Sequence, residues 1–260
     1  MSPRLALVGA AAGLLSGLLG IGGGIILVPG LIWAAGLDRH TASGTSLVAI
    51  LPIAIVAAIT YAVAPGGAFD PEASAIFVSG SIAGAVLGAR VNARVSERAL
   101  RMFMAILTLV FGLRLVVPLG FGAGKEDLPL DTLHVVLLVY LGVQGGFLAG
   151  LLGVGGGAIA IAVFAAIGVD QVLAQGIAIT ATIPTVVVGA VQHGRQGTLA
   201  PRRGLYAGLV GMLFAIPGAF VAFAVPVEVL RTGFGVFLLL GSYRMFRALR
   251  RPRVPAAELA

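Results

Sequence analysis

The chain has 260 residues, of which 59% are apolar, 10% are charged, 39 are glycine and none is cysteine. Its 17 basic and 10 acidic residues give a formal charge of +7. Soluble domains carry about 25% charged residues, so this composition excludes disorder and argues against a water-soluble globule; the absence of cysteine excludes disulfides, thiolate metal sites and thiol redox chemistry.

A helix crossing the hydrocarbon core needs about 20 apolar residues. The first apolar run, Leu5–Leu37, has 33 residues and no charge. As one helix it would extend about 50 Å, well beyond the core. It also runs too long, with no processing site, for a cleaved signal peptide. Its interruption is Gly20-Ile-Gly22-Gly23-Gly24, and four glycines in five positions break a helix. Thr41–Phe69, Ala73–Ala89 and Ala99–Leu119 follow, the last carrying Arg101 and Arg114. After the polar stretch Gly122–Asp131 comes a second long run, Thr132–Val169, interrupted at Gly153-Val-Gly155-Gly156-Gly157. Val172–Val191, Gly204–Val227 and Val229–Tyr243 complete the chain.

The two halves repeat. Gly13–Gly24 reads GLLSGLLGIGGG and Gly146–Gly157 reads GFLAGLLGVGGG, nine identities in twelve positions at an offset of 133. Gly36-Leu-Asp38 is echoed by Gly168-Val-Asp170, Gly44 by Gly176, Pro52 by Pro184, and Leu100-Arg101 by Leu230-Arg231. The chain therefore divides into two membrane repeats, 1–124 and 125–260, that together form one transmembrane domain. If each broken segment spans once, the repeats are parallel. If each turns back as a hairpin, they are inverted, and every basic residue except Arg114, Lys125 and Arg231 falls on the inner side. The spanning alternative sorts the charges less well, so the positive-inside rule favours the hairpin. The expected fold is an all-α integral membrane protein of two inverted repeats, each a Gly-broken hairpin plus three transmembrane helices. Both termini are then cytoplasmic.

The Gly-rich break in both halves, followed in the first by Val28-Pro29 and Gly44-Thr45-Ser46, resembles the TauE/SafE family of membrane permeases. The resemblance covers nearly the whole chain. It implies a bacterial inner-membrane transporter rather than an enzyme, moving a sulfur oxyanion or organosulfonate such as sulfite, thiosulfate or sulfoacetate. The second half departs from the pattern, with Ala162 opposite Pro29 and Ile177-Ala178 opposite Thr45-Ser46.

The residues themselves suggest how an anion is held. A broken helix at bilayer depth is tolerated where it lines a cavity, and inverted-repeat transporters bind substrate at such breaks. The new helix starts expose unpaired N–H groups, carry about half a positive charge, and have no side chains to keep an anion away. The expected substrate-binding set is Gly22, Gly23, Gly24 and Ile25 with Gly155, Gly156, Gly157 and Ala158. Ser43, Thr45, Ser46, Gln175, Thr180, Thr182, Gln192 and His193 are expected to complete the hydrogen bonds. Pro29, Pro52 and Pro184 are expected kinks or hinges. All ten acids lie at segment ends or in loops, which argues against a carboxylate-coupled pump. No residue pattern suggests a metal or cofactor, and the GxGxxA match at Gly153–Ala158 lacks the strand and spaced acid of a dinucleotide site. Partners are then the anion and membrane lipid, not nucleic acid. The rival reading is a non-transporting scaffold whose glycines serve close helix packing alone, as Gly80, Gly84 and Gly88 suggest.

Overall fold

The computed structural model describes residues 2–92, 97–117, 131–152, 157, 160–161, 164 and 169–250. The helices among them are α1 (Pro3–Leu19), α2 (Gly24–Ala35), α3 (Arg39–Val63), α4 (Pro71–Asn92), α5 (Glu97–Val116), α6 (Thr132–Leu152), α7 (Gln171–Arg195), α8 (Pro201–Ala224) and α9 (Val227–Arg250). By length and apolarity α3, α4, α6, α7 and α8 qualify as membrane spans, whereas α1 and α2 are shorter. The boundary expected at residue 124 lies outside the described residues.

The first break is a helical hairpin. α1 starts with Ser2 accepting from Leu5 N–H and with proline in its first turn, and it ends when Gly20 turns to φ 67° and donates to Ser16 O. Gly22 and Gly23 also sit in the left-handed region, at φ 73° and 71°. A side chain there is disfavoured by about 1–2 kcal/mol per residue, so three glycines make the reversal possible. α2 then returns along α1. Gly23 lies against the Ala12 carbonyl, Gly30 against the Val8 side chain, and the Arg4 guanidinium sits 5.7 Å over the Trp33 ring. The next helix is started by Asp38, whose carboxylate accepts from Thr41 N–H at 3.1 Å. Asp170 does the same for α7, accepting from Val172 and Leu173 N–H. The echoed Gly-x-Asp is thus a shared helix start.

Contact pairs fix the helix directions. Gly9, Gly13 and Gly17 meet Ala207, Gly211 and Ala215, so α1 and α8 run parallel. Gly80, Gly84 and Gly88 meet Val139, Val143 and Phe147, so α4 and α6 also run parallel. By contrast, Gly44 meets His193 at one end of α3 and Gly176 approaches Tyr61 at the other, so α3 and α7 are antiparallel. Gly112 packs against Leu239 and Ser242 Oγ donates to Ala105 O at 2.7 Å, so α5 and α9 are antiparallel too. Among the described helices two contact pairs are kept when the repeats are exchanged: α1·α8 matches α6·α4, and α3·α8 matches α7·α4.

The packing units are therefore not the two repeats. One hydrophobic core gathers Leu5, Val8, Leu27, Leu31, Ile50, Ile53 and Ala207, from α1, α2, α3 and α8. A second gathers Phe77, Leu138, Ile161, Phe164, Leu173 and Ile177, from α4, α6, residues 161 and 164, and α7, and is joined by Leu19, Ile21, Ala222, Leu230 and Leu238. The first bundle takes the hairpin and long helix of one repeat and a helix of the other; in the second, α6 and α7 of one repeat pack with α4 of the other. Inside lipid the closeness comes from small residues rather than from the hydrophobic effect. Gly13→Val, which drives a side chain into the Gly211 carbonyl, is expected to lower the melting temperature in detergent by several degrees. Gly241→Ala meets nothing within 4 Å and is expected to stabilise α9 by about 0.5–1 kcal/mol. Thermal unfolding of the two purified variants checks both.

Candidate functional site

The two glycine breaks meet. A Cβ built on Gly157 would lie 2.9 Å from Gly20 O and 3.2 Å from Ile21 Cα. A Cβ on Gly22 would lie 3.0 Å from Thr182 Cγ2 and 3.3 Å from Ile50 Cγ2. Ile50 and Thr182 sit near the middle of α3 and α7. The junction is thus at mid-length of the two longest helices, where their antiparallel seam passes between the bundles. Gly155, Gly156 and Ala158 lie outside the described residues.

At the first break the helix start is bare of side-chain caps. Ile26 and Leu27 N–H both donate to Gly23 O, at 3.1 and 3.0 Å. The N–H groups of Gly24 and Ile25 precede them at a helix start and have no carbonyl one turn back. Gly22, Gly23 and Gly24 are buried and Ile25 is half-buried. Ser16, one helical turn beyond the Ala12 that touches Gly23, is fully buried, and its hydroxyl has no partner among the described residues.

Beside the junction lies a small cavity of about 10 Å³, lined by Phe77, Ser81, Gly145, Gly146, Gly157, Ala160, Ala178, Ala181, Thr182 and Thr185. That volume is close to the minimum for one water molecule. A four-atom oxyanion does not fit without widening. Of the expected binding set, Gly157 and Thr182 line it.

The other expected polar residues are spread along the helices. Ser43, Thr45 and Ser46 stand in the first turns of α3, near His193 at the end of α7. Thr45 Oγ1 accepts from Ala200 N–H at 3.0 Å and so anchors the start of α8. Ser46 Oγ donates to Ser43 O at 2.7 Å. His193 Nδ1 lies 2.9 Å from Thr198 Oγ1, and Gln192 O accepts from Gln196 N–H. At the opposite end of the seam, Gln175 Nε2 reaches Leu18 O at 3.4 Å. Tyr61 donates to Gly17 O at 2.8 Å, with Gln175 Oε1 2.9 Å from its hydroxyl. Those carbonyls belong to the last turn of α1, which a helix leaves without partners. Tyr61 and Gln175 therefore hold the tip of the hairpin in position. Thr180 Oγ1 bonds back to Gly176 O. Pro29, Pro52 and Pro184 all lie inside helices.

Four residues at or around the junction escaped the expected set: Ser16, Ser81, Tyr61 and Thr185. Ser81 falls inside a Gly-rich stretch that reads as packing, and only its position opposite Gly146 brings it to the cavity. Among the described residues no group of three or more His, Cys, Asp or Glu residues is arranged to hold a metal ion.

Residues 1–115 and 138–259 match the family model described as Sulfite exporter TauE/SafE. No curated protein and no solved structure matches the chain.

Proposed function

The chain belongs to the sulfite exporter TauE/SafE family, and from that premise we propose that it carries sulfite or a related sulfur oxyanion across the bacterial inner membrane at the junction of its two glycine breaks. Membership makes it a membrane transporter for small sulfur compounds. The observation that carries the rest is the meeting of Gly157 with Gly20 and Ile21 at mid-length of α3 and α7.

Three features support an anion at that point. The α2 start behaves like about half a positive charge. Its leading N–H groups have no capping side chain. Neutral donors bind an anion less tightly than a fixed Lys or Arg and release it more readily, which suits transport. The scaffold reading expects the glycines to meet other helices with nothing polar between them; the hydroxyl-bearing cavity beside the break favours transport.

The repeats are read as inverted across the membrane. α2 folding back on α1, the antiparallel seam of α3 with α7, and the antiparallel pair α5 and α9 all support this reading. Parallel repeats would make each pair of mates run the same way. In this topology Arg4, Arg202 and Arg203 lie at the cytoplasmic face, where Arg203 also donates to Ala35 O at 2.8 Å. Movement of one bundle against the other along the seam would expose the junction to each side in turn, with Pro52 and Pro184 as mated flexible points.

The test is a flux screen with the purified protein in proteoliposomes, using sulfite, thiosulfate, sulfoacetate, sulfate and acetate. Saturable flux of one or more sulfur oxyanions is expected. Flux of none of them, by protein shown to be inserted, contradicts the proposal.

A further inference from the structure

The two sides of the junction are not equivalent. The packing sets the repeats in register: Gly13 meets Gly211 as its mate Gly146 meets Ser81. With Pro52 and Pro184 aligned, Thr182 and Thr185 stand where the first half has Ile50 and Ile53. On the first-half side the space is filled, because Ile50 and Ile53 are fully buried and Ile53 Cδ1 comes within 2.6 Å of a Cβ built on Gly211. On the second-half side the shorter Ser81, Thr182 and Thr185 leave the cavity.

We propose that the oxyanion rests on this second-half side, held by the hydroxyls of Ser81, Thr182 and Thr185 beside Gly157. This deepens the transport reading above and rests on it. The three side chains are at most 3% exposed. Each hydroxyl bonds back to its own helix: Ser81 to Val78 O at 2.9 Å, Thr182 to Ala178 O at 2.9 Å and Thr185 to Thr182 O at 2.8 Å. Those carbonyls belong to helix interiors and accept from backbone N–H groups as well. Rotation of a hydroxyl toward a bound anion therefore leaves no carbonyl orphaned. Three neutral donors on one wall can each meet an oxygen of a centre carrying several, as in sulfite or an organosulfonate. All three belong to the bundle of α4, α6 and α7, so they stay together when the seam widens to admit an ion larger than the present cavity.

The experiment is equilibrium binding of radiolabelled sulfite, kept anaerobic, to the purified full-length protein in detergent. Valine has nearly the shape of threonine, so Thr182→Val and Thr185→Val remove donors without reshaping the wall. The double variant is expected to bind sulfite at least about tenfold more weakly, with an unchanged melting temperature. Thr185→Ser, which keeps the donor, is expected to stay within about threefold of wild type. Ile50→Val, a change of size on the filled side, is expected to do the same. Double-valine binding equal to wild type, beside intact wild-type binding, overturns this site while leaving the transport reading standing; so does serine weakening binding as much as valine. Wild-type protein that binds no sulfite overturns both.

Discussion

Leucine at Gly22 or at Gly157 is expected to reduce sulfite flux by roughly a hundredfold or more, the scale on which small displacements of binding groups act, while the protein still inserts. Gly22 has φ 73°, where any L side chain is strained by about 1–2 kcal/mol. A Cβ there already crowds Thr182 and Ile50 at 3.0 and 3.3 Å. Leucine would push its branch into the seam where the anion is read to pass. Gly157 is the partner position, and its Cβ would meet the carbonyl of Gly20 at 2.9 Å. Both substitutions crowd the same junction, against different neighbours, and each alone obstructs it, so the double variant is expected to be little worse than the single ones. Flux in proteoliposomes, with insertion checked by protease protection, measures this. Wild-type flux through a well-inserted Gly22→Leu/Gly157→Leu protein would refute the site.

The second large effect is all-or-none. Single cysteines at Glu72 and Arg202, exposed repeat mates at the starts of α4 and α8, are expected to react with a membrane-impermeant maleimide from opposite faces. The natural chain has no cysteine, so each variant carries one thiol. Asp38 and Asp170 are less suitable positions because both carboxylates cap helices, and losing a cap costs about 1 kcal/mol. Labelling of both variants from one face contradicts inverted repeats.

The hairpin is legible in the sequence, because a 33-residue charge-free run cannot cross once without overshooting and four clustered glycines name the turn. The helix starts at Asp38 and Asp170 were legible for the same kind of reason, since an Asx cap is a local device. The polar partners of the break were legible only in part. Gln175 does reach it, its side chain lying against Gly20. Thr45 and His193 do not: their 25-residue helices carry them to one end of the seam, where Thr45 meets Ala200, 155 residues away. No local pattern announces such a bond. Ser81 was hidden differently: its neighbours Gly80 and Gly84 do pack against α6, so the packing reading of that stretch accounts for the glycines but not for the serine between them. The exchange of α4 and α8 between bundles is likewise a property of pairing, and pairing in lipid is set by small-residue contacts that many Gly-rich segments offer equally.

The central claim is that the backbone amides of the break hold the anion, and selective labelling of glycine with nitrogen-15 reads those amides directly. Titrating sulfite into the labelled protein in detergent is expected to move the Gly22, Gly23, Gly24 and Gly157 amide resonances along one saturable curve, and to leave Gly233 and Gly241 in α9 unmoved. Saturable sulfite binding that leaves the four junction glycines where they were would contradict the account.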